Sequence, residues 1–172
     1  MLEAQGDPTM ATIEQLRPCE LFSELKDDEL VLIAPLCQEE RYSVGDTIIK
    51  ADEPAVRLFI LQEGRVQLRI RLRSGVELSG DVTIEDLEPG QIFGWSSLVR
   101  QERFTATGQV TEPAVVLSID AHDLNALFAE HTHIGFVVMK QLANVVALRL
   151  HHTRTELDQR AQALVRNPEA DD

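Results

Sequence analysis

The amino-acid sequence predicts a mainly β fold with flanking helices, in which antiparallel strands precede a long C-terminal helix. The first observation is a series of short β-branched and aromatic bursts between Tyr42 and Ile119, separated by turns rich in Gly, Pro, Asp and Ser. The second is a change to helical spacing of the apolar residues after Asp120. Several short strands of this kind are typical of a sandwich, a roll or a barrel.

The composition indicates one acidic, soluble domain. The 172 residues include 29 acidic and 16 basic side chains, for a formal net charge of -13, and 44% are hydrophobic. A chain with this charge repels phosphate backbones and anionic lipid, so we expect no direct DNA binding and no membrane association. The contiguous apolar runs are also shorter than the roughly 18 residues of a membrane span.

The cysteines and the N-terminus bear on location. Cys19 and Cys37 are the only two cysteines and lack a CxxC spacing, which favours free thiols in a reducing compartment. The N-terminal segment MLEAQGDPTM is acidic and has no apolar stretch like that of a secretory signal. We therefore expect a cytoplasmic protein.

The chain is expected to divide into a disordered N-terminus over residues 1–10, a folded domain over 11–150, a helical extension over 151–166 and a disordered tail over 167–172. In the folded domain a short helix is expected to begin at Asp27, whose carboxylate can accept hydrogen bonds from the first free amides. The two acidic residues that follow suit the positive end of the helix dipole.

The clearest predicted strand is VQLRIRLR, residues 66–73, where aliphatic and polar residues alternate. Segment 82–84 is expected to pair with it, and alternation over 115–119 indicates a later strand. The polar side of the first strand is expected to be a solvated face rather than an anion-binding stripe. Its members are Arg69, Arg71 and Arg73.

Two helices are predicted after the strands. Asp120 is a suitable N-cap for a helix over 121–129, and Thr132 for a longer helix from about residue 133 to about residue 164. A heptad seam on the long helix consists of Met139, Ala143, Val146, Leu150, Thr153, Leu157, Arg160 and Leu164. We expect this seam to form a homodimer with a second copy of the chain; the alternative is that the helix packs wholly on its own β-core.

The order of turns and strands resembles a known family. The segments GDTII, DEPA, LFIL, EGRV and PGQIFG, which lie in this order between Gly45 and Gly94, resemble the cyclic nucleotide-binding domain of CRP/FNR-type regulators and cyclic-nucleotide-dependent kinases. The resemblance extends from about residue 21 to about residue 150. It implies an antiparallel β-roll (a double-stranded β-helix of jelly-roll type) whose helices carry the response to a ligand.

The resemblance also implies a ligand site in FGWSSLVRQERFTAT, residues 93–107. In the family this segment looks like Phe-Gly-Glu, an apolar stretch, then Arg followed by small residues and Thr. Trp95 stands where the family has the Glu that binds the ribose hydroxyl, and Phe104 stands where it has the Arg that pairs with the cyclic phosphate. Both charged anchors are therefore replaced, and a phenyl ring offers no cation to a phosphodiester.

The candidate ligand-binding residues are Phe93, Gly94, Trp95, Ser96, Ser97, Arg103, Phe104, Thr105, Thr153 and Arg154. The amides and hydroxyls that follow Gly94 favour an anion only weakly. Arg103 replaces the lost cation only if the loop is remodelled, and Arg100 is an alternative cation. Thr153 and Arg154 enter because this part of the long helix lies over the ligand's base in related receptors.

Three states of the pocket are compatible with the sequence. Trp95 and Phe104 either fill the vacant site as core, or stack on a planar ligand such as a base, a tetrapyrrole or an aromatic metabolite, or accompany a retained cyclic nucleotide. The ligand candidates are thus cAMP, cGMP or another small ligand, and no cofactor is assigned.

No pattern typical of catalysis stands out, because the sequence shows neither a nucleophile with a base nor a P-loop, and we expect a non-enzyme. His131 and His133 are expected to serve as helix caps or surface residues, since a metal centre of cupin type needs further ligands. His151 and His152 are helix neighbours that face different ways and form no joint site.

The sequence therefore predicts a stand-alone regulatory or sensor module, dimeric through its long helix, with a degenerate phosphate site and with a non-standard ligand as one of the three pocket states. The alternative is a ligand-free structural module for dimerisation or protein interaction. No helix-turn-helix follows the long helix before Asp172, so we expect the output to pass through the dimer or a protein partner.

Overall fold

A computed structural model describes residues 10–71, 81–99 and 103–166 of the chain. In chain order the elements are α1 (Ile13–Leu16), α2 (Asp27–Ile33), β1 (Cys37–Tyr42), β2 (Thr47–Ile49), β3 (Arg57–Arg71), β4 (Asp81–Leu87), β5 (Ile92–Phe93), β6 (Thr107–Asp120), α3 (Ala121–Glu130) and α4 (Thr132–Arg166). Two short 3-10 turns cover Ala34–Leu36 and Trp95–Leu98. The predicted β-roll with flanking helices and a long C-terminal helix is confirmed.

Some expectations fall outside the described residues. They concern Arg73, Arg100, the tail over 167–172 and the N-terminal segment before Met10. Met10 itself forms an isolated antiparallel bridge with Gln38.

Strands β3 and β6 form the centre of a six-stranded antiparallel sheet with the order β1-β6-β3-β4, in which β2 pairs with β6 and β5 with β3. The register between β3 and β6 shifts on both sides of Gly64, which has a φ of +83°. A Cβ at Gly64 would lie 2.1 Å from the Pro113 carbonyl oxygen. Glycine therefore permits a close crossing of the two long strands, and the irregular register bends them into the roll.

The predicted strand over 66–73 is present as the second half of β3, and β4 pairs with it as expected. Val66 and Leu68 are buried, as the alternation requires. The arginine face is only partly solvated, because half-buried Arg69 donates from Nη1 to Gln109 Oε1 at 2.9 Å. Arg71 is exposed and pairs with Asp81.

The predicted strand over 115–119 is also present, but its burial is not one-sided. Residues 114–119 are all buried in β6. Leu117 and Ile119 pack with the helices, whereas Ala114 and Val116 pack inside the roll. Because the helices cover one face of the strand and the roll covers the other, neither face is exposed to solvent over these residues.

The first predicted helix is confirmed as α2, but its cap is not Asp27. Lys26 is the N-cap, and its amide donates to Glu29 Oε2 at 2.9 Å. Asp27 is the first helical residue, and its carboxylate pairs with the exposed guanidinium of Arg17 at 2.6 Å. The glutamate three residues after the cap therefore satisfies the first amide, as in a capping box.

The two predicted C-terminal helices are confirmed. The Asp120 carboxylate accepts hydrogen bonds from the His122 amide at 2.8 Å and the Asp123 amide at 3.2 Å, which makes it the N-cap of α3. Helix α4 follows after one residue and packs one face on the helical side of the sheet. The buried apolar residues of that face are Ile134, Val137, Val138, Leu142 and Val145.

A second apolar face of α4 is exposed. Phe136 is 69%, Met139 39% and Leu150 61% exposed, at the spacing of the predicted heptad seam. Residues Thr132–Thr155, with a mean hydropathy of 1.2, are long and apolar enough to cross a membrane by length and composition alone. A helix with one face in a protein core passes the same test, and 39% of this stretch is buried against the rest of the domain.

Candidate functional site

A cavity of about 250 Å³ lies between the roll and α4, next to the 3-10 turn at Trp95–Leu98. Its apolar wall comes from three strands, the segment before β6, and the long helix. The aliphatic members are Ile49, Leu68, Ile84, Ala106, Val146 and Leu150. The cavity is thus closed on one side by α4, the helix that carries the exposed seam.

The structure brings six of the ten predicted site residues to the cavity, and these are Gly94, Trp95, Ser96, Phe104, Thr105 and Thr153. The other four lie elsewhere. Phe93 is fully buried and stacks on Phe59 with ring centroids 5.1 Å apart, and Arg154 is exposed and does not line the cavity. The side-chain oxygen of Ser97 is buried and does not line the cavity.

Phe104 lies directly against the backbone of Gly94. Gly94 has a φ of +72°, and a Cβ there would be 3.0 Å from the Phe59 ring and 3.3 Å from the Phe104 ring. Phe104 is 8% exposed and belongs to the hydrophobic cluster inside the roll. The position that the family resemblance assigns to a phosphate-binding cation is therefore occupied by a packed aromatic ring.

Arg103, which neighbours the position of the lost cation, is engaged outside the cavity. Its guanidinium donates to the Asp52 carbonyl oxygen. The Asp52 amide donates to the Phe104 carbonyl oxygen at 3.0 Å, and the Phe104 amide donates to the Glu53 carbonyl oxygen at 2.9 Å. These bonds hold Arg103 beside the 52–53 turn, so Arg103 does not line the cavity.

Among the residues that the structure describes, the arginine that lines the cavity is Arg149 on α4, and His152 of the same helix lines it as well. Arg149 Nη2 donates to Glu20 Oε1 at 3.0 Å and to the Ile92 carbonyl oxygen at 2.7 Å, and its Nε lies 3.0 Å from Glu85 Oε1. The Arg149 side chain is 16% exposed. These contacts attach α4 to β4, to β5 and to the N-terminal segment at one point.

Arg149 is not identifiable from the sequence patterns as a residue of the site. Glu20 is 129 residues away in the chain and Ile92 is 57 residues away, so no local spacing connects them. The only local signal is a single charged residue between Leu148 and Leu150 on a helix, which is ordinary for a surface helix. The role of Arg149 depends on where the folded roll places Glu20 and Glu85.

Comparison with known proteins assigns the fold to a family. Residues 39–131 match the cyclic nucleotide-binding domain, which is more than half of the chain. The chain belongs to the cyclic nucleotide-binding domain family. The suspected family relationship is therefore confirmed, together with the β-roll that it implies.

Three similar proteins place this cyclic nucleotide-binding domain among its relatives. The structure of a candidate cyclic nucleotide-binding protein from Geobacter metallireducens GS-15 superimposes with a TM-score of 0.70 at 32% identity, covering 83% of this chain and 100% of that one. The regulatory subunit of a cAMP-independent protein kinase A from Trypanosoma brucei shares the fold with a TM-score of 0.68 at 16% identity, covering 84% of this chain and 50% of that one. Glutaminase 2 of Bradyrhizobium diazoefficiens is 30% identical over 138 residues, which are 80% of this chain and 21% of that protein.

The chain spans about a fifth to a third of the curated relatives that it matches. The matched part of each relative is therefore one segment of a longer protein. Domains of this family are regulatory, so these matches carry no assignment of catalysis to the cyclic nucleotide-binding domain.

The guanidinium that lines the cavity of this domain is paired with carboxylates. Arg149 is one cation between two carboxylates, Glu20 and Glu85. Burial raises the pKa of the Glu85 carboxyl above its ordinary value; the Arg149 charge opposes that shift, the Glu20 charge adds to it, and the His152 charge opposes it. An anion entering this cavity would therefore meet a guanidinium whose charge is already neutralised.

Proposed function

We propose that this cyclic nucleotide-binding domain is a non-enzymatic sensor module that binds a small ligand other than a cyclic nucleotide and signals through a homodimer of α4. The observation that carries the proposal is a cavity lined by Trp95 and Phe104, the two residues that the family resemblance places at the positions of the charged anchors. A cavity that keeps its walls and loses its phosphate anchors favours a change of ligand.

The energetics of phosphate binding support this choice. A buried phosphodiester needs a compensating cation, and a bidentate guanidinium is its strongest side-chain partner. Phe104 offers none, and Arg149 is occupied by Glu20 and Glu85. The Trypanosoma brucei regulatory subunit, described as part of a cAMP-independent kinase, carries the same fold, so the fold itself does not require cAMP.

A direct route from ligand to dimer supports the sensor role. Val146, Leu150 and Thr153 line the cavity and are also members of the heptad seam. A ligand that contacts these side chains shifts α4 toward the arrangement that it binds better. The same three residues then present a changed seam to the second copy.

The exposed seam supports the homodimer. An apolar stripe along a charged helix is unfavourable in water and is stabilised by pairing with a second stripe. The described members are at least partly exposed, while the side chains of Leu157, Arg160 and Leu164 lie outside the described part of the chain. The acidic charge further supports a cytoplasmic module that signals to a protein partner rather than to DNA.

The dimer is tested by sedimentation of two matched variants. Phe136 and Leu148 are exposed to 69% and 70% on the same helix, but only Phe136 has the seam spacing. We expect Phe136→Glu to shift the chain from dimer to monomer and Leu148→Glu to leave the dimer intact. A monomeric wild-type chain at high micromolar concentration contradicts the proposed dimer.

The ligand is tested by titration of cAMP and cGMP. Trp95 is the single tryptophan and lines the cavity, so its fluorescence reports on this site, with calorimetry as the second readout. We expect no saturable binding up to millimolar nucleotide. A dissociation constant in the micromolar range, which corresponds to a binding free energy of about -8 kcal/mol, contradicts the proposed change of ligand.

A ligand-free structural module is the second candidate, and the burial of Phe104 inside the roll favours it. The two candidates differ in whether any small molecule enters the remaining cavity. Thermal shift with a panel of planar aromatic compounds separates them, because a ligand that binds only the folded state raises the melting temperature.

A further inference from the structure

The two halves of α4 are held to the rest of the domain in different ways. Up to Val145 the helix places an apolar face in the core, and Val137, Val138 and Leu142 are among the residues buried there. Beyond Val145 no described residue of α4 is buried. Apolar burial therefore stabilises the position of the first half, whereas the second half depends on other contacts.

Arg149 supplies such a contact for the second half. Although it lies beyond the end of the buried face, its side chain is only 16% exposed. Nη2 donates to Glu20 Oε1 and to the Ile92 carbonyl oxygen, and Nε lies 3.0 Å from Glu85 Oε1. These acceptors come from the segment between α1 and α2, from β5 and from β4. Because the guanidinium is planar and rigid, three acceptors along its edge fix both the distance of the helix from the roll and its rotation.

The acceptors are themselves held in place. Glu20 Oε1 also accepts a hydrogen bond from the Ile92 amide at 3.0 Å, and the Glu20 amide donates to the Gly90 carbonyl oxygen at 3.0 Å. Ile92 in turn pairs with Ile60 of β3. The bonds that hold Glu20 and Ile92 do not involve α4, so Arg149 binds to acceptors that the rest of the domain has already positioned.

Other polar side chains of the second half have different roles. The hydroxyls of Thr153 and Thr155 donate to carbonyl oxygens one turn earlier in α4 itself. His152 is exposed and lines the cavity. Burial raises the pKa of the Glu85 carboxyl, and the charges of Arg149 and His152 both oppose this rise. His152 therefore acts on the same carboxyl as Arg149 and needs its own variant in a test.

We propose that Arg149 is the positioning residue for the segment of α4 after Val145, which it holds over the cavity. When this contact is lost, the segment separates from the roll as one unit while the first half of α4 stays packed. Val146, Leu150 and Thr153 lie on this segment, line the cavity and belong to the heptad seam. This inference rests on the proposed function, since it names the residue that sets where the ligand-facing and dimer-facing side chains lie.

Hydrogen exchange followed by mass spectrometry tests the proposal in the full chain, with the fluorescence of Trp95 at the cavity as second readout. Arg149→Met keeps an unbranched side chain and removes the charge and every donor. We expect the amides of residues 146–155 to exchange at least about 10-fold faster, because hydrogen bonds to a charged group are lost and two carboxylates lose their counterion. We expect residues 134–145 to stay protected, and the Trp95 emission to shift to longer wavelength as water reaches the ring.

Three further variants locate the effect. Arg149→Lys keeps the charge but has one nitrogen in place of the fork, so we expect a smaller increase over the same residues. This variant also serves if Arg149→Met does not fold. Lys140→Met removes the exposed ion pair with Glu24, 3.1 Å long, from the first half of the same helix, and His152→Ala removes the neighbouring imidazole. We expect neither of these two controls to raise exchange over residues 146–155 by more than about 3-fold.

A second copy of the chain would also cover this segment, so the set is repeated in Phe136→Glu, the variant expected to be monomeric. An effect of Arg149→Met in this background alone supports the positioning role, because there the segment is held by its own chain.

The outcomes separate this inference from the proposed function. Three results overturn the positioning role and leave the sensor proposal standing: unchanged exchange over residues 146–155 in Arg149→Met in both backgrounds, an equal rise in both halves of α4, or an equal effect in His152→Ala. Saturable binding of cAMP to the wild-type chain, or a monomeric wild-type chain, overturns the proposed function and leaves the positioning role standing.

Discussion

Arg149 on α4 and Glu85 on β4 form an ion pair, with Nε 3.0 Å from Oε1, at the wall of the cavity between the roll and α4. Both side chains are mostly buried, with 16% and 21% of their surface exposed. Glu20 pairs with the same guanidinium from the other direction. One arginine thus joins α4 to the sheet at the wall of the cavity.

The first prediction concerns the pH dependence of this ion pair. Burial raises the pKa of the Glu85 carboxyl above the ordinary 4.5. The charges of Arg149 and His152 oppose this shift, whereas the charge of Glu20 adds to it. Because the folded chain then holds this proton more tightly than the unfolded chain, stability is lost as pH rises from about 4.5 through the raised pKa. Glu85→Gln lacks this loss, so we expect its free energy of unfolding to rise relative to wild type over that range.

Urea unfolding at a series of pH values measures this difference. Glu88→Gln is the matched control, since Glu88 lies just after β4 with its side chain 67% exposed. A difference between Glu85→Gln and wild type that stays constant with pH contradicts the predicted cause.

The second prediction concerns the close crossing of β3 and β6. Gly45 and Gly64 both have a positive φ, but only at Gly64 would a Cβ overlap another backbone; at Gly45 nothing lies within 4 Å. We expect Gly45→Ala to destabilise the fold by about 1 kcal/mol from backbone strain alone. Gly64→Ala adds the overlap with Pro113 and is expected to cost about 4 kcal/mol or more.

Chemical denaturation of the two variants provides the comparison. Since both carry the same glycine-to-alanine change at a left-handed position, the excess loss in Gly64→Ala isolates the steric term. Equal losses of unfolding free energy in the two variants would show that β3 and β6 can move apart at this crossing with little energetic cost.

The third prediction concerns the two thiols. Burial raises the pKa of both Cys19 and Cys37 to about 12, so neither forms a thiolate at neutral pH in the folded chain. We expect no reaction with a disulfide reagent at pH 8 under native conditions, and reaction of both thiols once guanidinium chloride unfolds the chain. Rapid labelling of native protein would show that this part of the core opens locally.

The fourth prediction restores one of the lost anchors. Phe104→Arg places a guanidinium in an apolar cluster, and we expect it to lower the free energy of unfolding by about 3 kcal/mol or more. The new cation is expected to create cAMP affinity, so millimolar cAMP raises the melting temperature of this variant. Phe104→Leu is the control, because it removes the ring without adding charge and should not respond to cAMP.

A Phe104→Arg variant that folds but is indifferent to cAMP would show that Trp95 or the glutamates beside Arg149 also block the nucleotide. That result would mean that more than one residue prevents cyclic nucleotide binding. Thermal shift and calorimetry on the same samples distinguish lack of binding from lack of folding.

The order of elements and the turns could be predicted from the sequence, because each depends on residues close together in the chain. Asp120 begins α3 through hydrogen bonds to amides two and three residues on. The family resemblance places Trp95 and Phe104 in register without any coordinate, and the structure finds both at the cavity.

Other features were decided only by the tertiary structure. Residues 114–119 of β6 are covered on both faces because helices and roll meet there, which a single strand's alternation does not show. The role of Arg149 depends on Glu20, 129 residues away in the chain, and on Glu85 of β4, with which it pairs directly. Local sequence patterns govern interactions within a few residues, whereas the charge balance of a cavity is set by which distant side chains the folded chain brings together.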